Sequence, residues 1–502
     1  MPRFKSGAHG RHSSGNPAHT GAQNAPEGLP ASPRHTTPHS TRHTTRILTG
    51  VTLLLLMIVY IHSFFTRQLV AVTAVDLRDA FQLSNLQIGL LYGTFFSVFY
   101  AFAGIPMGRL TDRTSRKKMI LTGLTLWSIA TLLTGFATTF TALILFRILL
   151  GLSQAMLSPA VYSFLTDYAP EKHRATAFSI YAAGIFIGVG LSFLIGGDIT
   201  QSASWEQAFK GGGLMGLLLV PVLFLALREP VQQSRIYATG MIHQTRTILR
   251  IQSVRWHLLG FSALACTGYT VLAFAGILLT DPFEAPITTT TTSSAISAIA
   301  SVSDVEATTV AATAMSATNT TVAAAAMSAT NTTSAAATTS PVQLFGWFVM
   351  AISITVFLSG KLADHAAKKD PSRRYNAGTV AALGGLPLYA AGFFTTSPVT
   401  ALNCIGFGVL ISSSYNGVAA ALIQSYVSHG QRALTGGIYL FVISLAGFGL
   451  GPPAAGFLMD HIYSGPHASG KAVLTVMILC STIATYAFHH AKQTHTNDAL
   501  SG

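Results

Sequence analysis

Two arginines inside long apolar stretches are the residues of this sequence best placed to do chemistry. Arg67 and Arg147 are flanked on both sides by apolar residues, and no Asp or Glu lies in the core of any such stretch. A cation in an apolar environment needs a partner, and the planar guanidinium group suits a carboxylate or a phosphate. We therefore expect both arginines to bind an anionic or zwitterionic small molecule. A structural role, in which Arg147 bonds backbone carbonyls, is the alternative.

Other polar residues inside apolar stretches extend this candidate binding site. Polar groups at such depth either bond neighbouring helices or line a watery cavity, and the sequence leaves both open. The further candidates are Thr66, Gln154, Tyr269, Tyr415 and Asn416.

His62 lies five residues before Arg67 and is a candidate proton site, because histidine titrates near neutral pH. A hydrogen-bonded core histidine is the alternative.

The three cysteines, Cys266, Cys404 and Cys480, lie in apolar surroundings without C-x-x-C spacing. They predict neither a metal site nor a disulfide framework, and nothing in the sequence predicts a cofactor.

The composition indicates that lipid surrounds most of the chain. Half of the 502 residues are apolar and 9% are charged, against about a quarter charged in typical soluble domains. A membrane-spanning helix needs about 20 mostly apolar residues. Twelve runs qualify and are numbered span 1 to span 12: 48–74, 85–107, 119–139, 141–166, 175–197, 207–227, 257–280, 342–363, 377–396, 399–427, 433–458 and 471–488.

The spans divide the chain into two bundles with polar segments around them. The predicted segments are a disordered cytoplasmic tail (1–46), an N-terminal six-helix bundle (47–228), a cytoplasmic central linker (229–256), a C-terminal six-helix bundle (257–490) with an Ala/Thr-rich disordered extracytoplasmic insert (284–340), and a cytoplasmic tail (491–502).

The basic residues predict the orientation. With both termini in the cytoplasm, all but five of the 30 Lys and Arg residues lie on cytoplasmic segments, as the positive-inside rule requires. The exceptions are Arg67, Arg78, Arg147, Lys210 and Lys471. This asymmetry explains the net charge of +13 without a nucleic-acid partner. We expect a monomeric multi-pass protein of the plasma (cytoplasmic, or inner) membrane.

Two motifs recur in the two bundles. Gly108-Arg-Leu-Thr-Asp112 follows span 2, and Gly360-Lys-Leu-Ala-Asp364 follows span 8. Arg174, seven residues before a tyrosine, opens span 5, and Arg432 opens span 11 with the same spacing. Two matching pairs at similar separations indicate an internal repeat, which is typical of transporters.

These residues resemble the major facilitator superfamily, whose signature between spans 2 and 3 is similar to Gly108–Lys118 (GRLTDRTSRKK). The resemblance covers about residues 47–488 except the insert, and within the superfamily it is to the spinster-like branch. The stretches that carry this second resemblance are Phe64–Leu69, Leu86–Leu91, Arg147–Ala155, Ser158–Ala160 and Gly449–Pro452. It implies an all-α membrane fold of two pseudo-symmetric six-helix bundles.

The resemblance implies alternating access, with contacts that latch the two halves on the cytoplasmic side. Gly108 permits close helix approach, and Asp112 near a membrane boundary favours a helix N-terminus or an arginine. The predicted gate residues are Gly108, Asp112, Arg113, Arg116, Asp167, Arg174, Gly360, Asp364 and Arg432.

The sequence departs from the branch at two positions that the resemblance implies are acidic. They hold Thr66 and Gln154, which do not titrate near pH 7. We expect a secondary active or facilitative transporter of a small organic or amphiphilic, anionic solute. The alternatives are a non-transporting solute sensor and a proton-coupled lipid or drug exporter. An enzyme is not expected, because no phosphate-binding loop or nucleophile motif is present.

Overall fold

The computed structural model describes residues 39–168, 171–229, 241–280, 340–367, 371–424, 426–427 and 432–500. Throughout these ranges the regular structure is helical, and short turns join the helices. The all-α architecture predicted from the apolar runs is confirmed.

The six predicted spans of the N-terminal half coincide with helices. Their bounds are His39–Val72 for span 1; Asn85–Gly89, Leu90–Thr94 and Phe95–Arg113 for span 2; Arg116–Thr134 for span 3; Phe140–Gln154 and Leu157–Tyr168 for span 4; Glu171–Leu191, Ser192–Gly196 and Gly197–Ser202 for span 5; and Trp205–Ala226 for span 6. A short helix, Ala74–Phe81, joins spans 1 and 2.

The C-terminal half repeats this arrangement. Its helices are Gln252–Thr280 for span 7; Pro341–Ala367 for span 8; Tyr375–Gly384 and Leu386–Phe394 for span 9; Pro398–Ser412 and Asn416–Gln424 for span 10; Arg432–Ile443, Ser444–Phe448 and Gly449–His461 for span 11; and Ala468–Leu500 for span 12. The helix Met241–Arg250 precedes span 7, and the 3₁₀ turn Pro371–Arg374 precedes span 9.

Within the described residues, ten helices are long and apolar enough to cross a membrane. The other two predicted spans are also helical, span 3 as one continuous helix and span 10 as two helices. Span 3 begins with Arg116, Lys117 and Lys118, and span 10 is interrupted between Ser412 and Asn416. All twelve predicted positions are therefore occupied by helices.

The outer surface of the bundle is apolar. Leu225 is 80% exposed and Leu362 is 71% exposed, whereas Trp127 and Tyr92 in the interior are fully buried. Contiguous apolar surface on this scale is unfavourable in water, and in a bilayer the helices keep their backbone hydrogen bonds internal. The protein is therefore a multi-pass membrane protein.

Several helices extend past the bounds of the predicted apolar runs. Span 1 begins at His39, inside the predicted tail, and span 12 continues through the predicted C-terminal tail to Leu500. The predicted linker contains the helix Met241–Arg250 and the start of span 7 at Gln252. Once an apolar segment has nucleated a helix, further polar residues add to it at little cost. Of the predicted insert, Ser340 alone is described.

The helices have two distinguishable ends. The loop between spans 2 and 3 and the approach to span 7 carry exposed arginines, and this side is called the basic end. The opposite side, called the acidic end, carries Asp76, Asp79, Asp198, Glu206 and Asp460. The acidic end therefore contains the connections between spans 1 and 2, 5 and 6, and 11 and 12.

Within the described residues, three spans contain one π-helical turn each. These turns are Leu90–Thr94 in span 2, Ser192–Gly196 in span 5 and Ser444–Phe448 in span 11. A π turn interrupts the regular pattern of backbone hydrogen bonds and is frequent at functional sites.

Candidate functional site

Arg67 is held by Gln154 in the interior of the N-terminal half. Its Nε and Nη2 atoms donate to the same amide oxygen, Oε1 of Gln154, at 3.1 and 2.9 Å. Arg67 is 6% exposed. Because an amide is neutral, this contact satisfies two donors and leaves the positive charge of the guanidinium group unbalanced.

Thr66 orients the amide that holds Arg67. The hydroxyl of Thr66 donates to the carbonyls of its own helix at His62 and Ser63. The Nε2 atom of Gln154 donates to the carbonyl of Ser63 at 3.0 Å and lies 3.3 Å from the Thr66 hydroxyl. Gln154 ends the first helix of span 4, and these bonds point its Oε1 atom at Arg67.

Aromatic rings surround the Arg67 guanidinium group. Within the described chain, the rings of Phe64, Phe96, Tyr100 and Phe448 have centroids 4.3, 4.5, 5.1 and 5.8 Å from its Cζ atom. Such distances allow cation–π attraction, which is stronger where water is excluded. Three of these rings belong to the N-terminal half, and Phe448 belongs to the C-terminal half.

Arg147 donates hydrogen bonds to backbone carbonyls of two neighbouring spans. Its Nε atom donates to the carbonyl of Leu91 at 3.1 Å, and its Nη2 atom donates to the carbonyl of Arg67 at 2.9 Å. Leu91 lies in the π turn of span 2. The geometry is that of the structural alternative, since Arg147 ties span 4 to the backbone of spans 1 and 2 and so positions Arg67.

His62 is hydrogen bonded at both ring nitrogens. Trp127 donates its indole N–H to Nδ1 at 3.1 Å, and Nε2 lies 2.9 Å from the carbonyl of Gly212. This pattern fits the neutral tautomer with its proton on Nε2. A second proton would replace the acceptor that Trp127 uses, so the geometry argues against His62 as the candidate proton site.

The candidates from the C-terminal half separate into two groups. Tyr269 stacks on Phe448 at 3.6 Å between ring centroids and so adjoins the Arg67 cluster. Tyr415 stacks on Phe261, and Asn416 donates to the carbonyl of Ser413. The partners described for Tyr415 and Asn416 therefore belong to the interior of the C-terminal half.

Two further residues near Arg67, Phe448 and Gln68, were not predicted from the sequence. Phe448 looks like any apolar residue of span 11, and no sequence signal distinguishes it. Gln68 had a signal, because it is a polar residue in an apolar span beside Arg67. It accepts from the hydroxyl of Tyr92 at 2.9 Å and donates to the carbonyl of Leu272 in span 7 at 3.1 Å.

Polar bonds join the two halves at the acidic end. The carboxylate of Asp460 in span 11 accepts from the backbone N–H groups of Asn85 and Leu86 at 3.0 and 2.7 Å. On the other side of the bundle, Gln343 in span 8 donates to Asp198 at 3.2 Å. Span 11 thus contacts span 2, and span 8 contacts span 5, so that both interfaces are closed at this end.

Glycines allow the backbones to meet at these interfaces. A Cβ atom at Gly93 in span 2 would collide with the carbonyl oxygen of Phe448, and one at Gly190 in span 5 would collide with Met350 of span 8. Beside the first contact, Thr94 donates its hydroxyl to the carbonyl of Gly449 at 2.7 Å. Each interface therefore includes a close backbone approach.

The carboxyl group of Asp76 at the acidic end is partly removed from water. Burial raises the pKa of Asp76 above its usual value, and the nearby Asp79 and Glu206 raise it further, although a backbone hydrogen bond acts in the opposite direction. Asp76 lies in the helix Ala74–Phe81, outside the membrane-spanning segments.

At the basic end, the signature loop binds its own half. Glu229 accepts from the backbone N–H of Arg116 at 2.6 Å and from the hydroxyl of Ser115. Lys117 donates to the carbonyl of Phe224 at the end of span 6. Arg116 is buried and Arg113 is exposed. These bonds fasten the start of span 3 to the end of span 6.

The close helix approach predicted at Gly108 is absent from the described part of the chain. A Cβ atom there would meet no described atom within 4 Å. The remaining gate candidates lie outside the residues whose side chains are described: Asp112, Asp167, Arg174, Gly360, Asp364 and Arg432.

Comparison with known families and relatives gives a consistent result. The family model described as Major Facilitator Superfamily matches residues 56–304. An MFS-type efflux pump of Mycolicibacterium smegmatis is 23% identical over 444 residues, which cover 87% of this chain and 91% of the relative. Protein spinster of Drosophila melanogaster is 27% identical over 220 residues, which cover 43% of this chain and 36% of that protein.

The fold has a close counterpart among solved structures. A bacterial homolog to human lysosomal transporter, spinster, in an inward-facing and unoccupied conformation, superposes with a TM-score of 0.68 and 22% sequence identity. The match covers 90% of this chain and 98% of the homolog. The chain therefore has the fold of that protein.

Proposed function

We infer that the chain is a transmembrane solute transporter of the major facilitator superfamily that resembles the spinster-like branch. We propose that its solute is a small organic or amphiphilic anion that binds at Arg67. The observation that carries the proposal is that this buried guanidinium group has no carboxylate partner among the described residues. Its described hydrogen bonds go to a neutral amide. The salt bridge described between Arg78 and Asp79 lies at the surface and does not involve Arg67.

The surroundings of Arg67 indicate what kind of anion fits. Phe64, Phe96, Tyr100 and Phe448 place apolar ring surface around the cation. Apolar walls with few polar groups are typical of sites for small organic molecules. An anion with an apolar body therefore suits the site better than a highly hydroxylated one.

In this proposal, none of the side chains of Thr66, Gln154 and His62 carries a proton that is coupled to transport. Thr66 and Gln154 do not titrate near neutral pH, and both ring nitrogens of His62 are used in the neutral form. The carrier is then a facilitator or an exchanger that works by alternating access. By the positive-inside rule, we place the basic end and both termini in the cytoplasm. We propose that the protein is a monomer in the plasma membrane and that it is not an enzyme.

Counterflow into proteoliposomes tests the proposal. Benzenesulfonate is a permanently ionised anion with an apolar ring, gluconate is a hydroxylated anion, and benzenesulfonamide is the neutral analogue of the first. We expect wild-type counterflow of benzenesulfonate to exceed that of gluconate and to persist without a pH gradient, with no counterflow of benzenesulfonamide. Arg67→Ala should lose anion counterflow, while Arg78→Ala, at an exposed ion pair, should keep it. Wild-type counterflow in a folded Arg67→Ala variant would refute the proposed site.

A further inference from the structure

Phe448 touches both the candidate binding site and the interface that closes the acidic end. Its side chain is 2% exposed. One neighbour of its ring is Tyr269, stacked at 3.6 Å between centroids, and another is the Arg67 guanidinium group, with Cζ 5.8 Å from the centroid. The ring therefore stacks on a side chain of its own half and lies within cation–π distance of the cation of the other half.

The backbone of Phe448 belongs to the contact between spans 11 and 2. Its carbonyl oxygen lies against Gly93, and the next carbonyl, that of Gly449, accepts from Thr94 at 2.7 Å. One turn further on, the carbonyl of Pro452 lies against Gly89. Both partners in this contact carry a π turn, Ser444–Phe448 in one helix and Leu90–Thr94 in the other.

We propose that Phe448 is a positioning residue that couples the charge on Arg67 to closure of the acidic end. The inference rests on the proposed function, because it takes the Arg67 site as the place where the solute anion binds. An aromatic ring is attracted to a cation by its quadrupole. An anion paired with Arg67 cancels much of the net charge and therefore weakens the attraction that holds the ring of Phe448.

This competition gives the bound anion different affinities for the closed and open states. A ligand can shift a conformational equilibrium only through such a difference. The empty carrier holds Phe448 on Arg67 and keeps its acidic end closed, whereas the loaded carrier releases it more easily. A carrier that opens readily only when loaded exchanges one anion for another, so exchange should be faster than net efflux.

The first test needs no ligand. Spin labels on Asp79→Cys and Ser464→Cys, both exposed at the acidic end, report the distance between the halves when Cys266, Cys404 and Cys480 are replaced by alanine. Arg67→Gln and Phe448→Leu should each raise the population with a long distance by roughly 2- to 30-fold, the range that a cation–π contact allows. The double variant should open no further than either single one, because both changes remove the same interaction.

Two variants control for packing in this experiment. Phe448→Trp keeps an aromatic ring and should stay closed like the wild type. Phe457→Leu changes a 46% exposed ring in the same span that stacks on His461, and it should also stay closed. Additive opening by Arg67→Gln and Phe448→Leu, or no opening by Phe448→Leu, would overturn the coupling.

The second test separates the coupling from the proposed function. With benzenesulfonate as the probe, Arg67→Gln should lose the thermal shift of the wild type, whereas Phe457→Leu, whose ring stacks on His461, should keep it. In proteoliposomes, Phe448→Leu should reduce the ratio of exchange to net efflux. If the wild type binds neither benzenesulfonate nor gluconate, the proposed function fails, and the ligand-free double variant still decides whether Phe448 and Arg67 are coupled.

Discussion

Asp460 and Leu86 are joined across the two halves of the transporter, with the Asp460 carboxylate accepting from the Leu86 backbone N–H at 2.7 Å. Leu86 lies in the first turn of span 2, where backbone N–H groups have no partner within the helix. A carboxylate at this position also interacts favourably with the helix dipole. Asp460 therefore caps the helix of one half from the helix of the other, and each opening of the acidic end must break this cap.

Asp460→Asn should shift the transporter toward a state with an open acidic end. The amide keeps an acceptor but loses the charge, and a hydrogen bond to a charged group contributes about 1.5–3 kcal/mol. Labelling of a cysteine introduced near the interface, or the spin-label distance described above, measures the shift. Glu206→Gln removes a carboxylate from the first turn of span 6 at the same end, and it should leave the distance unchanged. Equal distances in Asp460→Asn and wild type would contradict the role of this cap.

Gly93→Ala should prevent full closure of the same interface. The added methyl group would collide with the carbonyl oxygen of Phe448, and overpacking of this kind costs about 1–3 kcal/mol. We expect a longer distance across the acidic end and slower transport. Gly104→Ala lies further along span 2 and meets nothing within 4 Å, so it should behave as the wild type. Normal closure in Gly93→Ala would show that the backbones of spans 2 and 11 lie farther apart than the contact between Gly93 and Phe448 requires.

Gln154→Glu should make anion transport depend on pH. The new carboxylate would pair with Arg67 and compete with the solute, which should raise KM by roughly 10- to 100-fold at neutral pH. Lowering the pH protonates the carboxyl group and should restore affinity, so uptake by the variant should rise as the pH falls. Gln207→Glu places the same charge at an exposed site and should leave KM unchanged. A pH-independent KM in the variant would argue against direct contact between the solute and Arg67.

His62→Leu should reduce stability without altering the pH dependence of transport. The change leaves the indole N–H of Trp127 and the carbonyl of Gly212 without their partner, at about 1–3 kcal/mol for each buried group. The melting temperature in detergent measures the loss, and His461→Leu, at an exposed histidine, provides the control. A wild-type pH dependence between pH 5 and 8 that vanishes in His62→Gln would restore histidine as a proton carrier.

Asp76→Asn should raise stability, and by more at neutral than at acidic pH. Because burial raises the pKa of Asp76 in the folded protein, the folded state binds more protons than the unfolded state between the two pKa values. Stability therefore falls as the pH rises through this window, and the amide removes that loss. Melting temperatures of variant and wild type between pH 4 and 8 should diverge as the pH increases. A difference that is constant with pH would contradict the burial of this carboxyl group.

The positions of the spans and the importance of Arg67 could be predicted from the sequence, because both follow from local composition. Apolar runs of about 20 residues are a direct consequence of bilayer thickness, and a lone cation in such a run stands out. Helix ends were less predictable. The helices beginning at His39 and ending at Leu500 continue through polar residues that carry no signal of membrane insertion.

The partners of Arg67 could be predicted only in part. Gln154 was a candidate because it is a polar residue in an apolar span, but its double hydrogen bond to Arg67 depends on how spans 1 and 4 pack. Phe448 lies in the opposite half of the chain and has no unusual chemistry, so its place beside Arg67 is a property of the folded bundle. The same holds for Asp460, whose partner at Leu86 is a backbone group and leaves no trace in residue type.

The π turns of spans 2, 5 and 11 affect how cross-linking experiments on this protein should be designed. Each π turn adds a residue to one turn of the helix, and a single residue corresponds to about 100° of rotation around an α-helix axis. A helical wheel drawn continuously through Leu90–Thr94 or Ser444–Phe448 would thus assign the far segment to the wrong side. Cysteine pairs for mapping neighbours should be chosen from two wheels per span, one for each side of the interruption.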